Sequence, residues 1–173
     1  MTIFYHIDRL GTLGSDSVIG LTHYPNINPE ALQQHVDQLF PEGVSSHGER
    51  YFLRNDTPAI VISPVIELLF EYVRRSSYAD KPSRFQSFFA FRSLSDSRNF
   101  LEKFCNSQGT IWKVEYDESR AFRADMNVLT LRDSLLVSSY RAHCYWQGLP
   151  DPSGEPPVWE YLLRPPVTIL SRL

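Results

Sequence analysis

Runs of apolar and alternating positions predict the strands of this chain. Residues 110–116 (TIWKVEY) alternate apolar with polar side chains, which is typical of a strand with one buried face. β-Branched and aromatic residues dominate 3–7 and 85–91, and two late apolar runs, 158–163 and 167–170, are separated by a Pro-Pro break. Shorter extended segments are predicted at 17–24, 47–55 and 59–63. The chain therefore holds enough strands for a sheet.

Apolar residues at steps of three and four predict the first two helices. After Pro29, the segment EALQQHVDQLF places three apolar residues on one helical face: Leu32, Val36 and Leu39. A second helix, VIELLFEYVRRSS, follows Ser63-Pro64, which is a capping hydroxyl followed by proline at the first helical position. Glu71 and Arg75 in this helix have the spacing of an ion pair, and we interpret them as a solvated face.

Capping residues predict two further helices. Ser93 opens LSDSRNFLEKF, with Asp96 at the third helical position as in a capping box. Thr130 opens the last helix, with Asp133 three residues later, and Gly148 is its predicted C-terminal stop. Helices and strands are mixed without regular alternation, which predicts an α+β fold with a mainly antiparallel sheet. A chain of 173 residues is expected to form one domain, residues 1–173.

Composition and charge exclude several classes of protein. Hydrophobic residues make up 42% of the chain and charged residues 21%, which is ordinary for a soluble globular domain. The net charge of −3 gives no general basis for nucleic-acid binding. No secretory signal or membrane span is apparent, and Cys105 and Cys144 lack a C-x-x-C spacing. These features predict a cytoplasmic protein with reduced cysteines.

Common catalytic and nucleotide-binding motifs are missing from the sequence. There is no Walker loop, no G-x-G-x-x-G and no G-x-S-x-G elbow. The five histidines are scattered, and none has a second ligand at metal-binding spacing. We therefore predict no metal site.

Three segments carry the remaining candidate chemistry. His6 lies in the first strand, residues 83–100 (SRFQSFFAFRSLSDSRNF) run from a strand into a capped helix, and Glu160 opens a late strand followed by Tyr-Leu-Leu. In this order the segments resemble the ADP-ribosyltransferase superfamily of diphtheria-toxin and poly-ADP-ribose-polymerase type, as in small bacterial members. The resemblance implies a split antiparallel β-sheet with flanking helices, and NAD as co-substrate.

The resemblance also implies catalytic roles for two residues. Cleavage of the nicotinamide–ribose bond develops positive charge on the sugar, and a fixed carboxylate stabilises that charge. Glu160 is expected to supply the carboxylate, and His6 is expected to bind a ribose hydroxyl. Alternatives remain for both: Glu160 as a solvated carboxylate at a strand end, and His6 as a structural strand histidine.

Further residues are implied as contacts of the NAD cofactor. Phe88 matches the aromatic residue that stacks on nicotinamide, with Phe100 as a second candidate. Ile7 offers a backbone contact in place of the glycine of many relatives. Ser83 and Arg84 precede the middle strand, and Arg84 is expected to pair with a phosphate. The alternatives are that Phe88 is an ordinary core residue and that Arg84 is a surface arginine.

The resemblance implies transfer of ADP-ribose to a macromolecular acceptor, protein or nucleic acid. Such an enzyme could act as a toxin or defence effector and would need a neutralising antitoxin. One alternative is an NAD-using RNA 2′-phosphotransferase, which would need a basic patch; the candidates are Arg74, Arg75, Arg84, Arg92 and Arg98. Another is a non-catalytic binding module with a degenerate cleft. Asp125 and Asn127 are expected either to shape the cleft or to turn the chain.

Overall fold

Two antiparallel β-sheets form the centre of the fold in a computed structural model that describes residues 1–54, 62–130 and 134–173. The strands are β1 (Thr2–Asp8), β2 (Val18–Ile19), β3 (Phe88–Ala90), β4 (Thr110–Tyr116), β5 (Phe122–Asp125), β6 (Trp159–Leu163) and β7 (Val167–Arg172). The first sheet has the order β1-β4-β7-β2 and the second has the order β3-β6-β5. All strand pairs are antiparallel, which confirms the predicted α+β class with antiparallel sheets.

Helices flank the sheets. The α-helices of the described residues are α1 (Glu30–Leu39), α2 (Ser46–Gly48, continued by a π-helical turn, Glu49–Leu53), α3 (Ile62–Ser77), α4 (Leu94–Cys105) and α5 (Leu135–Gln147). None of them combines the length and the apolar character that a membrane span requires.

The two sheets pack face to face, and helices cover the far side of the second sheet. A core cluster between the sheets joins Phe4, Trp112 and Ile169 of the first sheet to Phe88 and Leu163 of the second. A second cluster lies between the opposite face of the second sheet and helices α3 and α5. Side chains that alternate along β6 therefore point either to the first sheet or to the helical layer.

Two capping predictions are confirmed. Ser93 Oγ accepts a hydrogen bond from the backbone N–H of Asp96 at the start of α4, at 3.0 Å. Gly148 ends α5 with a φ of 69°, a left-handed conformation that glycine adopts at low cost. The start of α5 was predicted wrongly: the described helix begins at Leu135 with Ser134 as its N-cap, and Thr130 precedes it outside the helix. Residues 131–133, with the predicted contribution of Asp133, lie outside the described residues.

Three predicted strands are shorter than expected or helical. Only Val18–Ile19 of 17–24 and Phe88–Ala90 of 85–91 are strands. Arg84–Gln86 is a 3₁₀ turn, because Ser83 Oγ accepts the Phe85 N–H and caps it. Residues 46–53 are helical rather than extended, because Ser45 caps this segment.

The start of α3 also differs from the prediction. The predicted strand at 59–63 falls mostly outside the described residues, and its last two positions, Ile62 and Ser63, have helical backbone. Ser63 therefore is not the N-cap that the Ser-Pro pair suggested.

Candidate functional site

His6 and Phe88 meet between the two sheets. Backbone hydrogen bonds of 2.8 and 2.9 Å link Tyr5 to Phe91 and bring β1 beside β3. The His6 ring stacks on the Phe88 ring with centroids 4.0 Å apart, and Phe88 is a buried member of the inter-sheet core. The structure thus brings together two of the predicted site residues, but the stacking partner of Phe88 is His6 itself.

The His6 imidazole has a defined tautomer. Its Nδ1–H donates to the carbonyl oxygen of Phe89 at 2.6 Å, since a carbonyl can only accept. Burial lowers the pKa of His6 from 6.5 to about 4 and outweighs the Phe89 hydrogen bond, which acts in the opposite direction. His6 is therefore neutral at physiological pH.

This pKa predicts a pH dependence of stability. The unfolded chain takes up a proton at His6 near pH 6.5 and the folded protein near pH 4, so the contribution of neutral His6 is complete above pH 6.5 and is lost as the pH falls towards 4. The variant His6→Gln keeps a donor for the Phe89 carbonyl but has no group that titrates in this range. Between about pH 4.5 and 6.5 we expect the free energy of unfolding to rise less steeply with pH in this variant, by up to the slope that one bound proton contributes. Urea titrations across this range measure the slope. An unchanged slope in the variant would assign it to another group.

Glu160 lies on the opposite face of the second sheet. In β6, Tyr161 and Leu163 face the first sheet, whereas Glu160 and Leu162 face the helical layer; Ala124, the β5 partner of Glu160, belongs to the helical-side core. One strand layer therefore separates the Glu160 carboxylate from the stacked rings of His6 and Phe88. The predicted histidine, aromatic residue and glutamate do not converge on one cleft.

The Glu160 carboxylate is part of a buried ion-pair network. Arg84 Nη1 donates to Glu160 Oε1 at 2.5 Å, and the Tyr145 hydroxyl donates to the same oxygen at 2.7 Å. Arg84 Nε and Nη2 donate to both carboxylate oxygens of Glu67, at 2.8 and 2.9 Å, and Nη1 also contacts the Tyr145 hydroxyl. Arg84, Glu67 and Glu160 are 3%, 7% and 3% exposed. One guanidinium thus links α3, α5 and β6.

Electrostatics bind this network together. Burial raises the pKa of Glu67, but the charge of Arg84 and the neighbouring His47 side chain outweigh burial and hold that pKa well below its usual range. Burial lowers the pKa of Arg84, but the two carboxylates raise it well above its usual range. His47 Nε2 lies 3.1 Å from Glu67 Oε1 with 19% of its side chain exposed, and connects the network to the surface.

The remaining predicted cofactor contacts point to structural roles. Ser83 is buried and its hydroxyl donates to Glu71 at 2.8 Å, so neither Ser83 nor Arg84 is placed to bind a phosphate, contrary to expectation. The Phe100 ring packs on the rings of Phe91 and Phe104. Ile7 lies opposite Ile111 in the pairing of β1 with β4, and its expected backbone contact with NAD stays a prediction.

Four of the arginines that were proposed as a basic patch are paired with glutamates. Arg74 and Arg75 both bind Glu71, which is only 2% exposed, so the predicted solvated pair is instead a buried cluster. Arg84 is buried in the network described above, and Arg92 pairs with Glu118 on the surface at 3.0 Å.

Asp125 organises the loops next to β5. Its carboxylate accepts three backbone N–H bonds, from Asn127, Asp151 and Val158, at 2.9 to 3.0 Å. Asp125 is fully buried, and Asn127 donates from its side chain to the Pro156 carbonyl. Both residues turn and tie the chain, which was one of the two predicted alternatives.

A groove of about 370 Å³ lies beside α1, within the size range of small-molecule sites. Its walls are Tyr24, Pro25, Ile27, Leu32, His35, Val36, Phe52, Leu53 and Arg54. Helix α1 buries none of its residues, and Leu32 is 49% exposed. At one end, Glu49 accepts the Tyr24 hydroxyl at 2.7 Å and pairs with Arg54 at 2.7 Å. Burial and Glu49 raise the pKa of Tyr24 to about 12, so its hydroxyl remains a donor.

A second cavity, of about 590 Å³, is lined largely by loop residues. Its charged pair, Arg141 and Asp151, is 3.1 Å apart. The groove beside α1 fits a ligand site better, because it combines apolar walls with a few polar groups at one end.

Fold and site together define an α+β domain with a buried ion-pair network and an apolar groove. The chain belongs to the family described as "Protein of unknown function (DUF2441)", whose model matches residues 4–173. None of the curated proteins compared with the chain matches it.

Sequence reasoning missed the partners of Glu160 and the whole groove. The sequence of α3 contains one indication of the ion-pair network. Glu67 directly follows Ile66, at the edge of the apolar face of the helix that also contains Phe70. A carboxylate at that position requires a buried cation. No comparable signal links α1 to Arg54.

Proposed function

We propose that this chain is a small-molecule-binding domain that does not transfer ADP-ribose. The observation that carries the proposal is the pairing of Glu160 with Arg84 and Tyr145, on the sheet face turned away from His6. A carboxylate stabilises an oxocarbenium-like transition state when it faces the ribose with its charge available. Glu160 is turned to the helical layer, and its charge is matched by a guanidinium.

The groove beside α1 supports the binding half of the proposal. It is concave, its walls are mainly apolar, and two of its polar groups, Tyr24 and Arg54, both contact Glu49. Sites of this kind hold small organic ligands by apolar contact and orient them by a few polar bonds.

Incubation of the purified chain with NAD tests the proposal. We expect no release of nicotinamide above the level seen with heat-unfolded protein, and no labelled ADP-ribose on the proteins or nucleic acids of a lysate. Nicotinamide release by the wild type that is lost in a folded Glu160→Gln variant would contradict the proposal.

ADP-ribosyl transfer from NAD is the second candidate function. The contact of His6 with Phe88 favours it, together with two separate antiparallel sheets, which are compatible with the split sheet of an ADP-ribosyltransferase-like fold. Under this candidate, Glu160→Gln should lower transfer by on the order of 10²–10³-fold. A macromolecular acceptor and a neutralising antitoxin belong to this candidate alone.

A further inference from the structure

We infer that the groove beside α1 binds a small organic anion with an apolar body and a single carboxylate. This inference rests on the proposed binding function and adds the chemical class of the ligand. Three features of the groove carry it: open apolar walls, an aromatic wall that is packed against the core, and basic side chains in the lining.

The apolar walls are available to a ligand. On one side, Leu32 and Val36 of α1 lie one helical turn apart, and on the other side stand Phe52 and Leu53. Leu32 is half exposed and α1 buries no residue, so this apolar stripe keeps a surface that an aliphatic or aromatic body can cover. Covering it releases water from apolar surface, which drives binding.

One wall of the groove is backed by a third core cluster, in which Phe52 packs against buried Phe40, Val44 and Phe85. The Phe52 ring packs against Phe40 and Phe85, with centroids 5.2 and 5.1 Å away. Phe40 and Phe85 are 2% and 1% exposed. The groove is therefore formed before a ligand arrives, which reduces the entropic cost of binding.

The charge of the lining selects an anion. Among the residues that the structure describes, the lining holds two basic residues, Arg54 and His35, and no carboxylate. Glu49, just outside the lining, contacts Arg54 through Nη2 and thereby orients the guanidinium. The Arg54 side chain is 60% exposed, so N–H groups on its other edge can donate to a ligand carboxylate. A cationic ligand cannot accept a hydrogen bond from these N–H groups.

Calorimetric titration of the full chain with three probes that carry an unbranched ten-carbon chain tests the inference: decanoate, decanol and decyltrimethylammonium. We expect decanoate to bind at least about tenfold more tightly than decanol, the scale of one charge-assisted hydrogen bond, and the cation to bind most weakly. Arg54→Met, which keeps the apolar stem, should remove the preference for decanoate over decanol. Leu32→Glu, at an exposed helical position, should abolish decanoate binding.

The matched control is Arg98→Met, which removes an exposed arginine from α4 and should leave all three affinities unchanged. Melting temperatures establish that each variant is folded. Equal binding of decanoate and decanol, or a preference that survives Arg54→Met, overturns the inference and leaves the binding function standing if Leu32→Glu still abolishes binding. Failure of all three probes to bind in the groove overturns both.

Discussion

Arg84→Met is expected to lower the free energy of unfolding at neutral pH by about 3–5 kcal/mol, the usual cost of removing one partner from a buried ion pair. Methionine fills a similar volume but leaves two carboxylates, Glu67 and Glu160, without their shared cation. The Tyr145 hydroxyl still donates to Glu160, but it supplies no positive charge. Urea denaturation of the wild type and the variant measures the difference.

The difference between the two proteins should shrink in acid. In the wild type the pKa of Glu67 is depressed, so its contribution is present above the unfolded value, about 4.5, and is lost as the pH falls below it. Without Arg84, burial raises the pKa of Glu67, and the folded variant takes up a proton above that value. The variant should therefore gain stability as the pH falls from 7 towards 5.

Two further variants make this prediction specific. Arg92→Met removes a surface arginine that is paired with Glu118, and should cost only about 0–1 kcal/mol. The triple variant with Arg84→Met, Glu67→Gln and Glu160→Gln removes all three charges and should recover a large part of the loss, because neutral buried groups are less costly than unpaired ions. If the triple variant is no more stable than Arg84→Met alone, the network does not act through charge.

The faces of β6 show where sequence reasoning stops. The apolar run at 158–163 predicted this strand correctly, and period two implies that Glu160 and Leu162 share a face. It does not say whether that face meets the first sheet or the helices, because this depends on which strands β6 pairs with. Pairing with β3 and β5 decides it, and this pairing joins residues far apart in sequence.

The burial of charged residues and the walls of the groove also depend on contacts between residues far apart in sequence. Glu71 and Arg75 have the spacing of a surface pair, but Arg74 and Ser83 also bind Glu71 and enclose it. The spacing along the helix predicts that the two residues pair, but it does not predict that the pair is buried. Helix α1 was predicted from its own periodicity, whereas the opposite wall of its groove comes from 52–54, part of the segment 47–55 that was predicted to be extended.

Gly48→Ala is expected to destabilise the domain by about 1–3 kcal/mol, the usual cost of overpacking a well-packed site. The φ of Gly48 is −62°, so its backbone is ordinary right-handed helix and alanine alone would favour the helix slightly. The space around Gly48 decides whether alanine stabilises or destabilises the domain. A Cβ at Gly48 would lie 2.3 Å from the carbonyl oxygen of Phe85 and 2.8 Å from Val44 Cβ. The carbonyl is backbone and has little freedom to move aside.

The position of Arg84 depends on this contact. The Phe85 carbonyl accepts hydrogen bonds from the backbone N–H and the hydroxyl of Ser45, at 2.9 and 3.1 Å, so Gly48 and Ser45 together fix the turn that carries Arg84. We therefore expect Gly48→Ala and Arg84→Met to be non-additive, with an interaction energy above about 0.5 kcal/mol in a double-mutant cycle. Gly20→Ala is the matched control, since a Cβ there meets nothing within 4 Å. If the effects of the two substitutions simply add, the close packing at Gly48 and the ion-pair network act independently.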